Sequence, residues 1–156
     1  MADGKASESS SQDNSKSWLL HYSAQGWIER ALRELAVAEQ AFAERQPPAA
    51  AAAMKRAAGM ALNGALRVVP RDDWGRSYVD HLKALAVDTS LPKSVSEAAD
   101  DILQFTPQPG TLVFLRSPGK DNRLLEATRT VMAHAYAIVN GSTGRGPEIT
   151  KANLDE

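Results

Sequence analysis

The chain of 156 residues contains no cysteine. This excludes a disulfide scaffold and any thiolate metal site. Aromatic residues are scarce, with three each of Phe, Trp and Tyr, while alanine is abundant. Such a composition favours helices, because alanine loses the least on entering one. No strong charge of either sign is present, and the formal net charge is −1. A dedicated nucleic-acid binder carries a basic excess, so any contact with RNA must come from a local patch. No apolar run reaches the roughly 18 residues of a membrane span. The opening MADGKASESSSQDNSKS has no apolar centre and does not read as a signal peptide, so the expectation is a cytoplasmic protein without membrane contact.

Histidine is also rare: His21, His81 and His134 are the only three. None has a second His or a carboxylate at a recognisable ligand spacing such as HExxH, so the expectation is no metal and no cofactor. SPGKDN lacks the spaced glycines and the Lys-Ser/Thr ending of a phosphate loop, and no Gly-x-Ser-x-Gly elbow occurs.

What is present is helical periodicity in a chain that is 43% hydrophobic. Residues 1–16 are polar and without period, and read as a disordered tail. Trp27, Ala31, Leu35, Ala38 and Phe42 recur on one face and predict a helix over 17–45, ended by Pro47 and Pro48. AAAAAMKRAAGMALNGALRVV predicts a second over 49–69, opened by Pro48, with Met54, Ala58, Ala61, Leu62, Ala65 and Val69 as its stripe. Gly59 and Gly64 in it suggest close approach of another helix. A third is expected over 77–88, carrying Val79, Leu82, Leu85 and Ala86. A fourth is expected over 94–105, where Ser94 and Glu97 make a capping-box pattern. Residues 106–120 read as a loop, a last helix spans 122–139 with Gly141 as its stop, and 141–156 read as a flexible tail. One domain over 17–140 results: an all-α, up-and-down bundle of about five helices.

The order and spacing of these segments resemble the HEPN domain. WIERALRELAVAEQAF is similar to that family's first helix, MKRAAGMALNGALRVV to its alanine-rich second, and SYVDHLKAL to its third. LPKSVSEAADDIL and RLLEATRTVMAHAYAIV resemble the closing segments. In NGALRVV, Asn63 and Arg67 replace the family's lysine-bearing end. The resemblance implies a homodimer that binds a protein partner or a nucleotide, beside a nucleotidyltransferase or an antitoxin. Some members are metal-independent ribonucleases with an Arg, four to six residues, then a His. Arg129, His134 and Tyr136 match that spacing. By resemblance, His134 is the acid or base on the ribose hydroxyl, Arg129 the phosphate partner and Tyr136 an auxiliary.

Helix arithmetic limits how these three can act. At about 100° per residue, Leu124, Leu125, Thr128, Val131, Met132, Ala135, Ile138 and Val139 share the core face. Arg129 and Tyr136 fall on one flank and His134 on the other, roughly 140° from Arg129. One helix therefore does not bring Arg129 to His134, whereas two helices meeting across the small residues Thr130, Ala133 and Ala137 would. Elsewhere, His81 reads as a hydrogen-bonding group within the bundle, and Asn63 as a surface amide or the lining of a cleft. Lys55, Arg56, Arg67, Arg71 and Arg76 read as a solvated face or a phosphate site. Trp18 and Trp27 read as packing anchors, and Trp74 as partly exposed in a turn.

Overall fold

The structure, a computed structural model, describes residues 17–107 and 118–141. The described residues form five α-helices and two single turns of 3-10 helix, Leu19–His21 and Asp72–Trp74. The helices are α1 (Ala24–Ala43), α2 (Pro47–Val68), α3 (Tyr78–Val87), α4 (Lys93–Gln104) and α5 (Pro118–Gly141). The polar opening residues 1–16, most of the loop (108–117) and the tail 142–156 lie outside the described residues.

The ends of the helices follow local chemistry that differs in places from the periodicity. The first helix starts at Ala24 rather than at 17. Ser23 is extended there, and its Oγ accepts the Gly26 N–H at 2.9 Å. The preceding turn is held by Trp27, whose Nε1 donates to the Leu19 carbonyl at 2.9 Å. The far end closes as a Schellman motif without glycine: Arg45 sits at φ 57°, Arg45 N donates to Phe42 O, and Gln46 N donates to Ala41 O.

The expected Ser94–Glu97 capping box is not formed. Helix α4 begins one residue earlier, with extended Pro92 as its cap and the Pro92 carbonyl accepting from Val95 N at 3.0 Å. Glu97 instead faces Lys93 at 3.6 Å. The capping box lies on α3: Ser77 Oγ accepts from Asp80 N at 3.0 Å, and Asp80 Oδ2 accepts from Ser77 N at 3.4 Å. These bonds from Ser77 hold the Asp80 carboxyl below the usual carboxylate range.

Helix α2 is the axle of the bundle and touches each of the other four. From Ala57 to Leu66 every residue but Met60 is buried. Its buried surface is thus wider than one stripe, because alanine and glycine leave room for neighbours on all sides. Val69, expected on the stripe, lies past the helix and is exposed.

Helices α1 and α2 are antiparallel: Gly64 approaches the Ala24 carbonyl, and Arg56 pairs with Glu34 at 3.0 Å. Arg129 on α5 lies 3.6 Å from Glu39 near the end of α1. His134 and Ile138 border a cavity with Ala65 and Leu66 near the end of α2. Helix α5 therefore runs antiparallel to α1 and parallel to α2. The all-α up-and-down bundle is the observed architecture, and α3 is the shortest of its α-helices among the described residues.

Candidate functional site

Helix α5 buries the face that its sequence marks. Leu124, Leu125, Thr128, Val131, Met132, Ala135 and Val139 are all buried, joined by Ala127. Thr128 satisfies its hydroxyl by donating to the Leu124 carbonyl at 2.9 Å. On one flank, Arg129 Nη1 donates to Glu126 Oε1 at 2.6 Å, and Nη2 faces Glu39 at 3.6 Å. Tyr136 stands on that flank and is 44% exposed.

His134 is on the other side. It borders a cavity of about 80 Å³ with Arg71, Trp74, Asp88 and Leu91. Burial pushes its imidazole pKa below the ordinary value of 6.5, and the nearby Asp88 carboxylate pulls the other way. Asp88 itself is held low, first by the Ser90 hydroxyl and N–H, at 2.5 and 2.9 Å, then by Arg71 and His134. Within one chain, then, Arg129 belongs to an acidic cluster with Glu126 and Glu39. His134 belongs to a separate one with Asp88 and Arg71.

A second, larger concavity lies where the Leu19–His21 turn, α2 and the start of α3 meet. It is open to solvent and measures about 510 Å³, lined by Trp18, His21, Trp27, Tyr78, Arg76, Ser77 and Asn63. Asn63 is only 1% exposed, so it is a buried amide and not a surface one. Its Oδ1 lies 2.9 Å from His81 Nε2, and its Nδ2 has no partner. His81 is fully buried, with Nδ1 at 3.3 Å from the Trp74 carbonyl. Burial lowers the His81 pKa, against smaller opposing pulls from the Trp74 carbonyl and Asp80.

A neutral His81 donating from Nδ1 to Trp74 presents a bare Nε2. Asn63 then serves it best with the amide turned, Nδ2 donating and Oδ1 left without a partner. In either orientation one buried polar atom of Asn63 is unsatisfied, a cost of about 1–3 kcal/mol.

The indoles complete this centre. Trp18 stacks on His81 with centroids 6.1 Å apart, and Trp74 approaches it at 6.0 Å. Arg76 lies 5.8 Å from the Trp18 centroid and Arg71 5.5 Å from that of Trp74. Trp74, expected to be partly exposed, is 5% exposed because it packs against His81 inside the bundle.

The basic residues of the middle segment divide their roles. Arg56 pairs with Glu34, and Arg71 faces Asp73 at 3.7 Å and Asp88 at 3.8 Å. Arg76 is spent on no ion pair among the described residues. Among those residues no group of three His, Asp or Glu side chains is placed to hold a metal ion.

The aromatic cleft was the feature least visible in the sequence. Its signals were there: an asparagine inside an alanine stripe, and two tryptophans just before and within the first helix. Nothing in the spacing showed that they meet Arg76 and Tyr78. The fold and this cleft together define an all-helical bundle with an aromatic-walled concavity. Comparison of the chain with protein-family models, with curated proteins and with solved structures finds no match.

Proposed function

We propose that the chain is a HEPN-like module that acts as a homodimer and binds a protein partner or a nucleotide, in the manner its resemblance to that family implies. The observation supporting this reading is the outer surface shared by α1 and α5. The Arg129–Glu39 pair fixes the level at which the two antiparallel helices meet. Seven residues along each, Leu32 on α1 comes level with Tyr136 on α5. Both are large and exposed, at 55% and 44%. Ala36, Ala133 and Ala137 on the same outer surface are small and exposed. A strip with a side-by-side pair of large exposed residues and small residues next to it suits a self-complementary contact about a two-fold axis.

Light scattering on the eluting protein tests it. The wild type is expected at the mass of two chains, and Leu32→Glu and Tyr136→Glu at the mass of one. A monomeric wild type would end the dimer reading.

A second reading, a metal-independent endoribonuclease of toxin type, has one observation in its favour. Burial favours the neutral imidazole of His134, against a smaller opposing pull from Asp88, and the neutral form is the one a general base requires. Each chain of a dimer would offer Arg129 to its partner's His134, with Tyr136 beside Arg129. Arg129 must then exchange Glu126 and Glu39 for an RNA phosphate. RNA cleavage in EDTA by wild type, lost in folded Arg129→Ala and His134→Ala, is the expected result under this reading. Activity retained in both variants, or absent from clean wild type, removes it.

A further inference from the structure

We propose that the cleft walled by Trp18, Trp27 and Tyr78 is a binding site for a small flat aromatic or heteroaromatic molecule that carries one carboxylate or phosphate. It is built from Trp18 and His21, Trp27 at the start of α1, Asn63 on α2 and the start of α3, and includes none of Leu32, Tyr136, Arg129 and His134.

Three observations point to this ligand. The first is size and lining. About 510 Å³ falls in the range of small-molecule sites, and aromatic side chains form the larger part of the wall. Trp27 is buried and fixed by its bond to Leu19, with Tyr22 edge-on at 4.8 Å, so its ring cannot swing to fill the space. Trp18 is held against His81. Burial raises the Tyr78 pKa, with Glu34 adding to it, so the phenol wall is uncharged. Rigid aromatic faces favour a planar guest.

The second is charge. Arg76 is exposed, lies over Trp18 and carries no ion pair among the described residues. The Ser77 hydroxyl stands beside it, accepting from Asp80 N and engaged with the Asp80 carboxylate. Of the neighbouring carboxylates, Asp73 faces Arg71 and Asp80 is turned to the Ser77 N–H. An exposed guanidinium with no ion pair among the described residues suits a carboxylate or phosphate oxygen.

The third is the orphan atom. Asn63 is part of the cleft wall, is 1% exposed, and has an amide end that nothing in the protein satisfies. Buried polar groups almost always have partners. The orphan atom is itself covered in the free chain, so a ring nitrogen, carbonyl or amine of a heterocycle seated against Asn63 supplies the missing partner by displacing that cover. A close-packed structural asparagine has no need of a cleft beside it.

The test is calorimetric titration of the full chain with adenosine 5′-monophosphate and with 2-naphthoate. Adenosine (ring without anion) and inorganic phosphate (anion without ring) serve as controls. Saturable binding of at least one ring-bearing anion is expected, with both controls about tenfold weaker or more. Binding of the nucleotide alone identifies a phosphate-bearing base, of naphthoate alone an aromatic carboxylate, and of both the shared chemistry. Arg76→Gln is expected to weaken the anion about tenfold while leaving adenosine unchanged. Trp18→Ala, at a partly exposed position, is expected to weaken every ring-bearing ligand. Absence of binding at millimolar concentrations, or affinities untouched by both folded variants, would overturn the proposal.

Discussion

Replacing Gly59 with alanine is expected to destabilise the bundle by about 2 kcal/mol, and with leucine to prevent its packing altogether. A methyl group at this position would lie 2.3 Å from Tyr78 Cβ, Cγ and Cδ1. Two opposing effects compete. Alanine gains up to about 1 kcal/mol of helix propensity over glycine. Overpacking costs about 1–3 kcal/mol, and here it falls at the upper end. The obstacle includes Tyr78 Cβ, which is tied to the backbone at the first turn of α3 and cannot rotate away. Relief requires moving the whole start of α3, which is pinned by the Ser77–Asp80 capping box and by His81. Chemical denaturation of wild type, Gly59→Ala and Gly59→Leu measures it. A stabilised Gly59→Ala would mean that α3 does not pack at this site.

His81→Ala is expected to cost about 3 kcal/mol, since it opens a void and strips Asn63 of its one partner. The double variant His81→Ala/Asn63→Ala is expected to lose less than the sum of the single losses, because the two residues share one hydrogen bond.

His81 also sets an acid limit. Its folded pKa lies below the ordinary 6.5, chiefly through burial. The unfolded chain therefore binds the proton more readily than the folded one. Stability present above about pH 6.5 is lost as pH falls toward and through the folded value. His134 is shifted the same way and adds to the same window. Asp80 and Asp88, both lowered from 3.8, act in a separate and more acid range. Melting temperatures across this range should fall for wild type and fall less steeply for His81→Phe. An unchanged slope would show that His81 does not gain a proton on unfolding.

Much of the fold was legible in the order of residues, and particular elements show why. The core face of α5 was readable because its apolar residues recur at the period of the helix, and burial of that face is a property of one element alone. The stripe of Trp27, Ala31, Leu35, Ala38 and Phe42 was readable for the same reason, and all five are buried. Helix ends were less legible. Ser94–Glu97 and Ser77–Asp80 are both capping patterns in sequence, and only the second forms, because the helix after Pro92 begins at Lys93 with Pro92 as its cap.

By itself, then, the sequence determined an all-helical chain, the inward faces of its long helices and the separation of Arg129 from His134 around α5. Each of these is a consequence of local periodicity. Only the tertiary structure decided that α2 would be buried well beyond one stripe between Ala57 and Leu66, that Trp74 would be covered and that Asn63 would reach His81 from 18 residues away. Only it decided that Trp18, Tyr78 and Arg76 would share one cleft. These are long-range meetings, set by how closely alanine and glycine let four helices approach a fifth, and no local period encodes them.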